Sequence, residues 1–330
     1  MKAADPKAVL PRAFRLGLEG LGTSTCTRVN ETLKTGLEQL QEDAKEYGNT
    51  REQKHAKAVL LWCEGKMRAA ADIWEDILVE YPTDLMAIKF AHEAYFFMGD
   101  AKGKRDSVQA VLPKHKGTEP CYRHDSGKMN GFSYLHGMWA FGLEECEQYD
   151  QAEKEAVKAL NLNRFDCWAT HARAHCMVMQ GRIDEGINFM ESTVDDWREL
   201  PSKDEETLIQ KKIYMKLCLI FQSKNTDVDN AKVCRDVGIA LYEGMQHYGK
   251  GQYDEAAEKM LPVRHEVYRI GGSNAQRDIF AQTLIQACIM SKDPEHFKQT
   301  NTLLDERSAL NKNSSIGERL AAKFRKYHSM

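Results

Sequence analysis

Small and apolar residues return along this chain at intervals of three and four. In residues 64–84 they are Ala70, Trp74 and Ile77, in residues 146–166 Ala152, Ala156 and Ala159, and in residues 250–263 Ala256, Met260 and Val263. That spacing puts each set on one face of an α-helix, so each stretch is expected to be an amphipathic helix lying against a neighbour. The same phrase precedes every set: a Gly or polar turn at Gly65, Glu147 or Gly251, then a bulky residue two positions on, at Met67, Tyr149 or Tyr253.

The turns keep a register. Gly65 and Gly99 are 34 residues apart, as are Glu147 and Gly181, and 34 residues is the period of the tetratricopeptide repeat, a pair of antiparallel helices. The expected fold is therefore all-α, a right-handed superhelical solenoid of tetratricopeptide-like helix pairs. One continuous array is expected over residues 1–330, with repeats at 51–84, 85–118, 133–166, 167–200 and 237–270 and C-terminal helices over 273–325. Pro82, Pro113, Pro201 and Pro262 fall at or near the ends of second helices, where a missing N–H does least harm. Connectors are expected at 119–132, 198–206 and 223–230, and further helix at 209–221 and 233–239. The opening "KAADPKAV" reads as the close of a second helix, with Pro6 in the usual proline position. This predicts a first pair without its front, and an apolar N-terminal face through which two chains could associate.

Length and composition agree with an array. At 330 residues the chain exceeds what a single hydrophobic core usually organises. Hydrophobic residues are 42% and charged residues 29%, with a mean hydropathy of −0.57, as in an ordinary soluble protein. The net charge of −3 gives no reason to expect nucleic acid or an anionic membrane as partner. No apolar run reaches the roughly 18 residues of a membrane helix, and "MKAADPKAVLPRAF" lacks the apolar core of a signal peptide. Nine cysteines are scattered without a C-x-x-C pair, which points away from a disulfide framework and a zinc site and towards a reducing, cytoplasmic setting.

One stretch departs from plain helix: "YRIGGSNAQRDIF", residues 268–280. Gly271 and Gly272 are expected to end one helix, where a left-handed residue is wanted. Ser273 would cap the next, with Gln276 as its capping-box partner. The alternative is that the free N–H groups of this helix start, with Arg277 beside them, bind an anion or a carboxylate. Neither a phosphate-loop motif nor a G-x-S-x-G elbow is present.

The phrases "RHEVYRIGGSNAQRDIF", "PTDLMAIKFAHEAYFFMGD", "RDSVQAVLP" and "LNLNRFDCWATHARAH" together resemble the tetratricopeptide repeat protein 38 family. The resemblance covers most of residues 3–196 and again 234 to about 324. It implies an all-helical cytoplasmic repeat protein, with no established reaction or ligand. Two departures stand out: family members carry more helix ahead of Lys2, and a longer segment between Trp197 and Cys234 with a His-Asn-aromatic-Trp-His phrase that this chain lacks.

The resemblance further implies that first helices line a concave groove with positions 2, 5, 9 and 12 of each repeat. Among the residues so placed are His55, Lys89, Glu93, Tyr134, Trp168, His171 and His175, an aromatic surface of mixed charge suited to a polypeptide partner. The expected function is a non-catalytic interaction scaffold, with no cofactor, metal or catalytic residue assigned. The competing reading is a small-ligand binder or metal-dependent enzyme that uses His171, His175 and the Arg277/Asp278 helix start, because an i, i+4 histidine pair has zinc-ligand spacing. Glu144 and Glu145 are expected on a solvated face, since adjacent helix residues point about 100° apart. Arg105 is expected to pair with Asp106, and Arg277 with Asp278, as exposed or half-buried ion pairs. Trp62, Trp74 and Trp139 are expected in the core.

Overall fold

A computed structural model describes residues 7–21, 25–115, 122–124, 127–129, 131–197, 228–310 and 314–328. The expected helix at 209–221, the connector at 198–206, Pro6 and Pro201 lie outside these. The described residues are overwhelmingly helical. Eight helices fill the first four expected repeat intervals: α3 (Thr50–Cys63) with α4 (Met67–Glu80), α5 (Leu85–Met98) with α6 (Ala101–Val111), α7 (Gly131–Glu145) with α8 (Tyr149–Leu162), and α9 (Cys167–Met179) with α10 (Ile183–Trp197). Two more precede them, α1 (Val9–Gly20) and α2 (Glu31–Tyr47). Part of the connector at 119–132 forms a short antiparallel hairpin, β1 (Tyr122–His124) with β2 (Gly127–Met129).

Residues 228–328 form a C-terminal part. Helix α11 (Asp229–Val233) runs through a π-helical turn into α12 (Ile239–Gly249), which pairs with α13 (Tyr253–Met260). A 3-10 segment, Leu261–Ile270, leads to α14 (Asn274–Met290), α15 (Pro294–Leu310) and α16 (Ser315–His328). No helix of the described residues is long and apolar enough to cross a membrane.

The apolar faces are where the spacing puts them except at Val263, which lies beyond α13 in the 3-10 segment and is half-buried. Ala70, Trp74, Ile77, Ala152, Ala156, Ala159, Ala256 and Met260 are all buried. Trp62, Trp74, Phe90 and Phe97 meet ring against ring within a core that extends from Val9 to Met138. A second core extends from Val237 to Leu320.

The turn inside each pair is the same object five times over. At Gly65, Gly99, Glu147, Gly181 and Gly251, φ lies between 61° and 80°. The N–H of each donates to the carbonyl three residues back, and the next N–H to the carbonyl five back from itself, as in Gly99 to Phe96 and Asp100 to Tyr95. Together these bonds satisfy carbonyls that the helix end would otherwise leave open.

The C-terminal part docks along this row of turns. The N–H of Asp229 donates to the Gly65 carbonyl at 3.2 Å and that of Gly272 to the Phe96 carbonyl at 3.3 Å. A Cβ on Gly99 would collide with the Tyr268 carbonyl, and one on Gly271 with the Phe97 carbonyl. The close approach of two backbones therefore requires both glycines.

Candidate functional site

The helix start at 271–278 is a cap, as one of the two expectations has it. Gly271 and Gly272 have φ of 76° and 83°, and Ser273 and Gln276 form a complete capping box at the head of α14. The head also receives a carboxylate, supplied by the chain itself. Glu145, the last residue of α7, accepts from the Asn274 N–H at 3.1 Å and from the Arg277 guanidinium at 3.3 Å. Helix-end N–H groups favour such a negative charge. Arg277 also donates to the carbonyls of Gly271 and Gly272, while Asp278 pairs with Arg307 and not with Arg277.

Glu144 and Glu145 are both buried, which corrects the expectation of a solvated face. Helix α7 is covered on several sides, by α6, α8 and α9 and by the head of α14, so neighbours 100° apart are withdrawn from water together. The Glu144 Oε2 lies 3.4 Å from His175 Nδ1, and its Oε1 has no hydrogen-bond partner. Burial pushes both carboxyls up to about 7, although Lys104 and Arg277 pull the other way. Lys104, fully buried on α6, has its ammonium 3.8 Å from the Phe141 ring centroid, and burial brings it down to about 8. Two carboxylates and two cations are thus concentrated in one interior.

On α9, the turn spacing brings His171 and His175 together, with ring centroids 4.1 Å apart. His171 stands at the exposed edge and His175 is half-buried. Burial holds both imidazoles below their ordinary value, with His175 also acting on His171. Among the described residues, donor atoms of Glu144, Glu145 and His175 lie within 4.8 Å of one another, close enough to share a cation.

Phe141 joins this cluster to a more open surface. Its ring packs against Trp168, His171 and His175 at centroid distances of 5.6, 5.4 and 6.1 Å. The Lys89 ammonium lies 4.8 Å from the Trp168 ring centroid. Trp168 is half-buried and Tyr134 is 38% exposed. Lys89, Tyr134, Trp168 and His171 are therefore accessible, as a groove requires.

Two expected groove residues are not. Glu93 is buried and paired with Lys89. His55 is fully buried and belongs to an internal triad: its Nε2 lies 2.9 Å from Asp84 Oδ2, and the Arg51 Nε donates to the same oxygen at 2.6 Å. Burial by itself would raise the Asp84 carboxyl, but His55, Arg51 and the Ala87 N–H outweigh it and hold Asp84 well below the usual carboxylate range. Trp62 and Trp74 are in the core as expected, with Trp139 packed at its edge, and Arg105 pairs with Asp106.

The burial of Glu144 and Glu145 does have a trace in the sequence. Helix α7, "GFSYLHGMWAFGLEE", is apolar or small nearly all round until its last two residues, and a helix without a polar face is an interior helix. Its partner residues, Asn274 and Arg277, come 129 and 132 positions later, and no local periodicity points to them. No protein-family model matches the chain.

Proposed function

We propose that this chain is a non-catalytic interaction scaffold whose helix pairs form a right-handed tetratricopeptide-like superhelix, in keeping with its resemblance to the tetratricopeptide repeat protein 38 family. It holds a polypeptide on the face made by Lys89, Tyr134, Trp168 and His171. Support comes from the five turns with one hydrogen-bond pattern and, above all, from one arrangement: Trp168 half-buried on Phe141, with Lys89 over its ring and His171 set edgewise to it. A rigid aromatic ring between a cation and an imidazole anchors a peptide side chain with little loss of entropy. The cytoplasm, where nine reduced cysteines are stable, is the setting this reading implies.

Selection from a displayed peptide library tests the proposal. Peptides that bind the wild-type chain should bind the Trp168→Ala, His171→Ala variant at least about tenfold more weakly. A library that yields no binder, or binders indifferent to the double substitution, sinks it.

A second reading has its own observation. The convergence of Glu144, Glu145 and His175 suits a divalent cation, with carboxylate and imidazole donors that zinc accepts. Lys104 and Arg277 already offset the two carboxylates, which makes a resident cation electrostatically unnecessary. Stoichiometric zinc in the purified chain, lost on His175→Ala, would move this reading ahead of the scaffold.

A further inference from the structure

Four of the five intra-pair turns place glycine at the residue with positive φ, and the fifth places Glu147 there, at φ 61°. Glu147 is the only residue other than glycine with positive φ among the described residues. A Cβ is disfavoured in this conformation, and strained residues that persist concentrate where function holds them.

The surroundings of the first three turns differ in a corresponding way. At Gly65 the absent side chain leaves room for Val228, and at Gly99 for the carbonyl of Tyr268, so the C-terminal part closes directly on both turns. At the third turn the contact falls two residues short of the turn residue, where Asn274 Nδ2 donates to the Glu145 carbonyl at 3.1 Å, and a cleft of about 430 Å³ lies between Glu147 and the C-terminal helices. This volume lies within the range of small-molecule sites. Leu241, Met260, Phe280, Leu284 and Leu303 supply apolar wall, and Tyr268 lies at the side.

The charges of the cleft are unevenly paired. Arg264 faces Glu306 at 3.5 Å, Arg277 faces Glu145 at 3.3 Å, and Arg307 holds Asp278 through both terminal nitrogens. Every arginine in the lining therefore already has its carboxylate. Glu147 is exposed at the edge of the cleft and makes no ion pair or hydrogen bond through its side chain among the described residues, and the partial burial of its carboxyl pushes it up. An anion entering the cleft would meet cations that are already neutralised and a bare carboxylate, whereas a neutral ligand would leave that carboxylate without a counter-ion.

We propose that this cleft binds a small amphiphilic amine, its ammonium group on the Glu147 carboxylate and its apolar body along Phe280, Leu284 and Leu303. The strained turn residue is then the recognition element, kept at the expense of a more comfortable glycine. This site is separate from the Trp168 surface, and either can fail without the other.

Calorimetric titration with n-octylamine, n-octanol and n-octanoate at neutral pH tests the proposal on the wild-type chain and on Glu147→Gln and Glu147→Gly. One equivalent of octylamine should bind on the order of tenfold more tightly than either of the others, the worth of one charge-assisted contact. Both variants should lose that preference. Glu147→Gly should also melt at a higher temperature than wild type, because glycine relieves the turn, so its loss of binding cannot come from misfolding. Octylamine bound no better than octanol by the wild type, or a preference that survives in Glu147→Gly, would overturn the proposal.

Discussion

Asp84 and Asp166 hold the same place in their respective helix pairs, yet they have been given opposite environments. Each closes a pair and caps the following helix, Asp84 through the Ala87 N–H and Asp166 through those of Trp168 and Ala169. Thirty-three and 29 residues before Asp84 stand Arg51 and His55, and both bind it. The same distances before Asp166 lead to Ser133 and Gly137. Among the described residues no side-chain cation bonds to Asp166, although Lys89 acts on it from a distance: its Oδ2 has no hydrogen-bond partner, and a Cβ on Gly137 would stand 2.5 Å from it. Burial pushes Asp166 up to about 6, where Asp84 is held low. One region is thus a closed electrostatic joint. The other is left short of partners beside Trp168 and Tyr134, on the face to which we assign binding. A saturated ion pair contributes rigidity, whereas a buried carboxyl short of partners is a cost that leaves its joint less firmly held.

The comparison breaks most visibly at His55. His55→Ala removes one member of a fully buried pair and leaves Asp84 undercompensated, and should cost about 3 kcal/mol in denaturant unfolding. A loss below about 0.5 kcal/mol would mean that the triad does not hold the joint. Asp166→Asn should do the reverse, since asparagine caps a helix about as well and carries no charge into the interior. A stabilisation of about 1 kcal/mol is expected at pH 8. Because the folded-state value of Asp166 is raised, its ionisation weakens the fold above that value, and protonation removes the penalty. The advantage of Asp166→Asn should therefore shrink as pH falls from about 6 towards the ordinary 3.8. An advantage independent of pH would show that Asp166 is not a strained carboxylate.

Most of the helical scaffold is legible in the sequence, because it depends on short-range rules. Ala70, Trp74 and Ile77 declare a buried face, Gly65 and Gly99 a left-handed turn, and Ser273 with Gln276 a helix start. Interior polar chemistry is not legible in the same way. His55 reads as a groove residue by its position in the repeat, but turns inward because Asp84, 29 residues later, offers it a partner. Glu145 reads as solvent-exposed because the head of α14, which covers it, returns from 129 residues away. Glu147 is an intermediate case. Its departure from glycine is visible in the sequence, but the cleft that gives the departure a meaning exists only once the C-terminal part has docked.

The most direct test of the binding face follows the indole N–H resonances of the five tryptophans while a library-selected peptide is added. The account predicts that the Trp168 signal shifts in proportion to bound peptide, while those of Trp62 and Trp74, buried in the first core, stay in place. Displacement of the Trp62 or Trp74 signals with Trp168 unmoved would contradict it, and would put the interaction surface on α3 and α4.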